Sequence, residues 1–229
     1  MLCLGIETAT PYGSIALCRD DQVLCELSLR LLKGGGEYLL AWLERMMSQT
    51  GCHLSELDLI AVGTGPGSYT GIRVGLAAAK GLGAGLNIPV YGVSTLETIA
   101  HNALGTALWI ATALDARRGE LYAALYQATA SGLVVVIPPQ PMAAVDFVNS
   151  LRQLPEVILC GEGGKVNPKL WENYPQIKIA SALWDRPLAS QLAWIAGQKT
   201  DDLREDLIPK YLRRVEAEVK LEEQQQGRV

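Results

Sequence analysis

The groups in this chain best suited to chemistry are carboxylates that close strands and glycines that crowd a strand-to-helix turn. Glu7 ends the run Leu2-Cys3-Leu4-Gly5-Ile6, and Asp115 ends an apolar run over 107–114. Acids at two equivalent strand ends can face one another across a cleft and hold a metal-bound phosphate; Asp and Glu are also plain turn formers. The second group is Gly63-Thr64-Gly65-Pro66-Gly67-Ser68-Tyr69-Thr70-Gly71-Ile72-Arg73. Glycines between a buried strand and a helix permit left-handed backbone and aim amide N–H groups at an anion seated on the helix N-terminus. The run is not a Walker loop, because no Gly-Lys-Ser/Thr follows and the nearest lysine, Lys80, lies inside the helix; Pro66 and Ser68 also break the GxGxxG spacing. A tight turn that packs a helix closely on a sheet is an equal reading of the same glycines.

Nucleophilic and metal chemistry are poorly supplied. The two histidines, His53 in a Gly51-Cys52-His53 loop and His101 in helical text, form no HExxH and no i, i+4 pair. Ser68 lacks a GxSxG elbow. Cys3, Cys18, Cys25, Cys52 and Cys160 show no CxxC spacing and read as buried thiols, with no disulfide framework or zinc site.

The 229 residues are 49% hydrophobic and 19% charged, which is globular composition, and a net charge of −4 argues against a broad electrostatic grip on nucleic acid. Any contact with RNA would run through a partner. Aromatics at 6%, with Phe147 the one phenylalanine, argue against single-strand stacking platforms. No apolar run is long enough to span a bilayer and the first residues lack a basic signal region, so the chain reads as cytoplasmic and free of membrane.

Positioning these groups falls to a pattern that runs twice. In the first half, strands are expected over 2–6, 14–18, 23–29, 57–62 and 88–93, and helices over 38–47, 72–82 and 96–103. In the second, strands over 107–114, 121–127, 133–137 and 157–160 surround a helix over 143–151, and Gly161-Glu162-Gly163-Gly164 precedes another helical stretch. Both halves read strand, acid, strand, strand, helix, strand, glycine loop, helix. The expectation is an α/β protein of two duplicated lobes, 1–103 and 104–229, each a mixed sheet flanked by helices. A last amphipathic helix over 187–198 is followed by Pro209-Lys210-Tyr211-Leu212-Arg213-Arg214 and a polar tail over 221–229 expected to fray.

The helix that opens at Gly71 carries Gly71, Gly75, Ala77, Ala78, Ala79, Gly81, Gly83, Ala84 and Gly85. Each glycine costs about 1 kcal/mol of helix propensity relative to alanine, so close approach of another helix is the expected gain. The neighbouring helix with Trp42, Met46 and Met47 makes a helix-to-helix contact the natural reading.

Leu4-Gly5-Ile6-Glu7-Thr8-Ala9-Thr10 with Ser14-Ile15-Ala16-Leu17, then the Gly63 to Gly75 run, Gly92-Val93-Ser94-Thr95-Leu96, Asp115-Ala116-Arg117-Arg118-Gly119-Glu120-Leu121-Tyr122 and Pro209-Lys210-Tyr211-Leu212-Arg213 together resemble the TsaB (YeaZ) family, in order and over nearly the whole chain. The resemblance implies an actin-like (ASKHA) fold of two ribonuclease-H-like lobes. It implies a noncatalytic subunit in threonylcarbamoyl transfer to adenosine 37 of tRNA, homodimeric alone, holding a TsaD-like catalytic paralogue, joined by a TsaE-like ATPase and touching tRNA only indirectly. The implied partner surface is Tyr38, Trp42, Met46, Ile72, Gly75, Leu76, Ala78, Ala79 and Leu82, so that Gly75→Leu or Ala78→Trp would split the complex and leave the monomer folded. A vestigial nucleotide cleft would lie at Glu7, Thr8, Gly65, Gly67 and Asp115, with no tightly bound cofactor and ATP or ADP entering at the level of the complex. The catalytic paralogue's HxxxH metal pair has no counterpart here. Glu7 stands where the family commonly has Asp, and Lys33-Gly34-Gly35-Gly36-Glu37 where it commonly has a histidine. The competing readings are an ATP-dependent phosphotransferase or ATPase working through Glu7 and Asp115, and, more remotely, a glycoprotease-like metallopeptidase.

Overall fold

The structure, a computed structural model, describes residues 1–31, 38–166, 168–199, 207–209 and 212. The Lys33 to Glu37 segment, most of the Pro209 to Arg214 motif and the 221–229 tail lie outside the described residues. Strands β1 (Leu2–Glu7), β2 (Tyr12–Arg19), β3 (Gln22–Arg30), β4 (Leu59–Gly63) and β5 (Val90–Val93) form one sheet in the order β3-β2-β1-β4-β5. The second sheet joins β6 (Trp109–Arg117), β7 (Glu120–Thr129), β8 (Gly132–Ala143), β9 (Val157–Cys160) and β10 (Ile177–Ile179) in the order β8-β7-β6-β9-β10. In each, the first three strands form an antiparallel meander and the last two add in parallel beside the first. The duplicated pattern read from the sequence is therefore a duplicated topology.

Period-two alternation decides the layers. Leu2, Leu4 and Ile6 of β1 face α1 (Leu39–Thr50) and α2 (Tyr69–Leu86), whose Leu43, Met46, Ile72, Leu76 and Ala79 complete a core on that side. Cys3, Ala16, Cys18, Leu59 and Ala61 face the other way, and their cover comes from the far end of the chain: α7 (Ala189–Gln198) lays Ala189, Leu192, Ala193, Ile195 and Ala196 on them. Conversely α3 (Thr95–His101) packs Leu96, Ile99 and Ala100 on Ile110, Leu114, Ala124 and Tyr126 of the second sheet. The outer face of that sheet is covered by α4 (Ala144–Leu151) and by Trp171 of the short α6 (Pro168–Glu172), which follows the single turn α5 (Gly163–Val166). Each sheet lies on one side of the 103/104 boundary, while α3 and α7 reach toward the opposite sheet and meet where the His101 and Trp194 rings stand 5.5 Å apart.

The N-terminus of α7 has no capping side chain of its own. Ser14 Oγ accepts from Ala189 N (3.1 Å), and Glu26 accepts from Ser190 N (3.1 Å), Ser190 Oγ (2.8 Å) and Ser14 Oγ (3.2 Å). A carboxylate at a helix N-terminus answers both the orphan N–H groups and the helix dipole. Gly5 makes room for this approach, since a Cβ there would collide with the Ala189 carbonyl. Asn102 Nδ2 closes the other end of the junction by donating to the carbonyls of Trp184 (3.1 Å) and Arg186 (2.7 Å).

Two elements depart from the sequence pattern. β8 runs on through Pro138, Pro139 and Pro141, past the expected stop at 137; it is an edge strand with two register shifts, where a missing N–H costs no ladder bond. β10, only three residues long, carries too little periodicity to be read from sequence.

Candidate functional site

Three turns converge at the C-terminal ends of the parallel strands β1, β4 and β5, the usual place for a ligand crevice in open α/β sheets. Glu7 ends β1 with its side chain fully buried and folded back into the protein. Its Oε1 accepts from Ala9 N (2.6 Å) and its Oε2 from Thr95 Oγ1 (3.0 Å), which ties β1 to the start of α3. Burial pushes its pKa up to about 7, against the pull of those hydrogen bonds.

The glycine run is used internally. Cβ atoms on Gly63, Gly67, Gly71 and Gly75 would collide, respectively, with the Glu7 carboxylate, the Ala9 carbonyl, the Thr8 carbonyl and Thr8 Oγ1. Thr8 Oγ1 donates to the Gly71 carbonyl (2.7 Å), Ser68 N donates to the Ala9 carbonyl (2.6 Å), and Ser68 Oγ accepts from Gly71 N (3.2 Å) as the N-cap of α2. Gly65, at φ +94°, accepts from Thr95 N (2.9 Å). The run thus presses α2 onto the β1 turn, the packing alternative of the two sequence readings, and the Ser68 amide faces a carbonyl of the same chain.

Glu7, Thr8, Gly65 and Gly67 are tied together through these contacts, and Asp115 belongs to the second sheet. It sits exposed at the β6–β7 turn, where its Oδ1 accepts from Arg117 N (2.7 Å) and where Arg117, Arg118 and Gly119 all take left-handed backbone (φ +65°, +54° and +79°). Glu7 is thus turned inward and engaged by its own chain, whereas Asp115 is exposed. Among the described residues no three His, Cys, Asp or Glu side chains are placed to hold a metal ion. Burial, then Asp115 and Asp185, raise the Glu162 pKa; Asp185 is paired with Lys165 and accepts from Gly161 N (2.9 Å).

The expected partner surface divides. Met46, Ile72, Gly75, Leu76 and Ala79 are buried in the protein's own core, because the stripe they form on α1 and α2 is the one that covers the first sheet. They cannot present themselves to a partner, and Gly75→Leu becomes a core-disrupting change. Trp42, Ala78 and Leu82 are half-buried at the rim, and Tyr38 is 53% exposed. The open face of α2 holds Ala77, Gly81, Ala84 and Gly85, four of the small residues expected to admit another helix, together with Arg73 and Lys80; these two, and Leu40 on α1, 64% exposed, are residues the expected partner surface left out. Tyr38 stacks on Trp42 (centroids 6.3 Å apart, planes 17°) and the Arg73 guanidinium lies 4.6 Å over the Tyr69 ring. Among the described residues, nothing lies within 4 Å of where a Cβ of Gly81 or Gly85 would stand, so packing among those residues does not explain them. The missed signal was phase: the same helical spacing that named the stripe also placed it toward the sheet. The residues that join the two halves, Ser14, Glu26, Asn102 and Arg186, had no local signal, since their partners lie between 82 and 175 residues away.

Comparison with known proteins gives a consistent result. Residues 36–221 match the family model described as TsaD, tRNA N6-adenosine threonylcarbamoyltransferase. The chain is 33% identical to the Bacillus subtilis tRNA threonylcarbamoyladenosine biosynthesis protein TsaB over 98% of its own length and 100% of that protein's. Its fold superposes on a Pseudomonas aeruginosa protein described as having similarity to peptidase YEAZ, at TM-score 0.80 and 26% identity over 93% of this chain and 99% of that one. A Thermus thermophilus ROK hexokinase shares the fold alone, at TM-score 0.51 and 12% identity over 86% of this chain and 100% of that one.

Proposed function

Since the chain belongs to the TsaB family of tRNA threonylcarbamoyladenosine biosynthesis proteins, we propose that it is the noncatalytic subunit of the threonylcarbamoyl-transfer machinery, and that it acts by holding a TsaD-like catalytic paralogue through the exposed face of α1 and α2. The observation that carries this reading is the combination on that face of a stacked Tyr38–Trp42 pair, a protruding Leu40 and two helical glycines with no neighbour among the described residues. Aromatic residues and arginine are enriched in protein interfaces, and small residues let two helices approach closely. An inward-turned Glu7, engaged by Ala9 N and Thr95 Oγ1, supports a holding role over phosphoryl transfer. Binding that favours one arrangement of the partner shifts its population toward that arrangement, which is how a subunit without chemistry of its own raises activity.

In the same reading the protein forms a homodimer when alone, takes in a TsaE-like ATPase at the level of the complex, holds no cofactor tightly and meets tRNA through its partner. It would work in the cytoplasm; among the described residues no helix is long and apolar enough to cross a membrane. The test is depletion of the protein followed by nucleoside analysis of tRNA, with complementation by the native chain and by Leu40→Asp. The expected result is loss of threonylcarbamoyladenosine, restored by the native chain and not by the variant, together with loss of paralogue capture by the folded variant. Normal threonylcarbamoyladenosine after depletion would overturn the assignment.

A further inference from the structure

Cys3 and Cys18 face each other directly across the β1–β2 ladder. Both are buried, at 2% and 5% exposure, on the side of the sheet that α7 covers. Directly opposed antiparallel residues stand about 4.5–5.5 Å apart at Cα, within the roughly 4.4–6.8 Å that a disulfide spans. Their Cβ atoms, about 4.5–5.5 Å apart in such pairs, need to close by only about 1 Å to reach disulfide geometry. Nor is the pair sealed. Cys18 lines a surface cavity of about 360 Å³ together with Asp20, Gln22, His101, Gln191 and Trp194. A small solute in that cavity comes up beside Cys18.

We propose that Cys3 and Cys18 form an oxidisable dithiol site, closed to a cross-strand disulfide by a hydroperoxide that enters through this cavity. The Cys18 thiol releases its proton and the thiolate attacks one peroxide oxygen; the O–O bond breaks, leaving a Cys18 sulfenic acid and, from hydrogen peroxide, a hydroxide that takes up that proton and leaves as one water. The Cys3 sulfur then attacks the Cys18 sulfur, the S–O bond breaks, and the departing hydroxide leaves as a second water with the Cys3 proton. Two thiols give up one electron each and the peroxide accepts both. Cys18 is the attacking group because it borders the cavity; burial raises both thiols above the ordinary cysteine range, joined by Glu26 at Cys18 and by Cys18 at Cys3. The charged and titratable groups around the pair are Asp20, paired with the Met1 ammonium (2.7 Å), and Asp21 in the β2–β3 turn, Glu26 on β3, Asp58 ahead of β4 and His101 on α3; the cavity wall from α7 is uncharged. This acidic surround keeps closure slow at neutral pH. Once formed, the bond fastens β1 to β2 directly beneath α7, the helix by which the second half of the chain grips the first.

The test uses the full native chain, freed of reductant and exposed to hydrogen peroxide at several pH values, then alkylated under denaturing, non-reducing conditions and digested for mass spectrometry. The expected product is a linked Cys3–Cys18 peptide pair lighter by two hydrogens and released by a phosphine reductant, with Cys25, Cys52 and Cys160 still alkylated. Its rate should rise about tenfold per pH unit below the Cys18 pKa. Cys3→Ala should halt at a dimedone-reactive Cys18 sulfenic acid. Oxidation confined to Cys52, whose sulfur lies 3.6 Å from Arg19 Nη2, or a native chain in which Cys18 passes to sulfinic acid without linkage, would overturn the proposal.

Discussion

Replacing Glu7 by Gln asks whether this carboxyl is a ligand held for chemistry or a buried structural group. In the native protein the group has no solvent exposure and a pKa raised from an ordinary value near 4.5 to about 7. The unfolded chain therefore releases the proton first as pH rises. Below about pH 4.5 both states are protonated and the stabilisation is fully present; it declines from there and is lost once pH passes about 7. At about 1.4 kcal/mol per pH unit, that interval amounts to roughly 3 kcal/mol of destabilisation from ionising Glu7 in the folded state. Gln preserves the local bonding: its carbonyl can accept from Ala9 N, and the Thr95 hydroxyl can turn from donor to acceptor for the new amide. Urea denaturation of both proteins from pH 4 to pH 9 separates this effect from every other titrating group, because those cancel in the difference. The expected outcome is near-equal stability at pH 4.5 and a Glu7→Gln variant more stable than the native protein by about 1–3 kcal/mol at pH 8. Parallel curves, or a variant destabilised at pH 8, would refute the account of Glu7 as a buried acid whose charge is a burden, and would revive its role as a ligand.

The remaining predictions probe packing and the open face. Gly75→Leu forces a side chain into Thr8 and Val62 and should lower stability by at least about 1–3 kcal/mol in thermal melts of the isolated protein. Gly81→Ala should do the reverse, adding about 0.5–1 kcal/mol to the monomer in the same melts, while weakening capture of the paralogue in a titration. Glu26→Ala removes the acceptor for Ser190 and Ser14 at the head of α7 and should cost about 1–2 kcal/mol, read as a lower urea midpoint.

Much of the architecture was legible because local patterns carry it. The strand alternation in Leu2, Leu4 and Ile6, the helical recurrence of Leu39, Leu43 and Met46, and the order of elements in both halves are written within short windows, and the structure preserves them as two sheets of one topology. Gly51 as a left-handed C-cap (φ +68°) and the glycine turn between β4 and α2 follow from the same local rules; the sequence reading omits the Ser68 cap, and α2 starts at Tyr69, ahead of the expected 72. The exchange of α3 and α7 between the sheets is not local. Nothing in Ala189 to Gln198 indicates that its apolar face belongs on Cys3 and Leu59, and Glu26 shows no sign in sequence of capping a helix some 160 residues on. Period alone identifies a stripe; the choice between the protein's own sheet and a partner depends on which side the sheet lies.

That distinction sorts the glycines by cause. Gly63, Gly67, Gly71 and Gly75 each meet an atom of the β1 turn where a Cβ would stand, and Gly83 meets Val90 in the same way. For these five, the loss of helix or loop stability is offset inside the molecule by the close seating of α2. Gly81 and Gly85 have no such offset, although each costs the helix about 1 kcal/mol relative to alanine. They share the open side of α2 with Ala77 and Ala84, on the face of the first sheet that also carries Tyr38 and Leu40. A cost repeated on one face with no internal return is what close approach by an external helix would explain. The Gly81→Ala experiment isolates it, because the same methyl group should strengthen the monomer and weaken the complex, whereas a glycine of no consequence to assembly would strengthen the monomer alone.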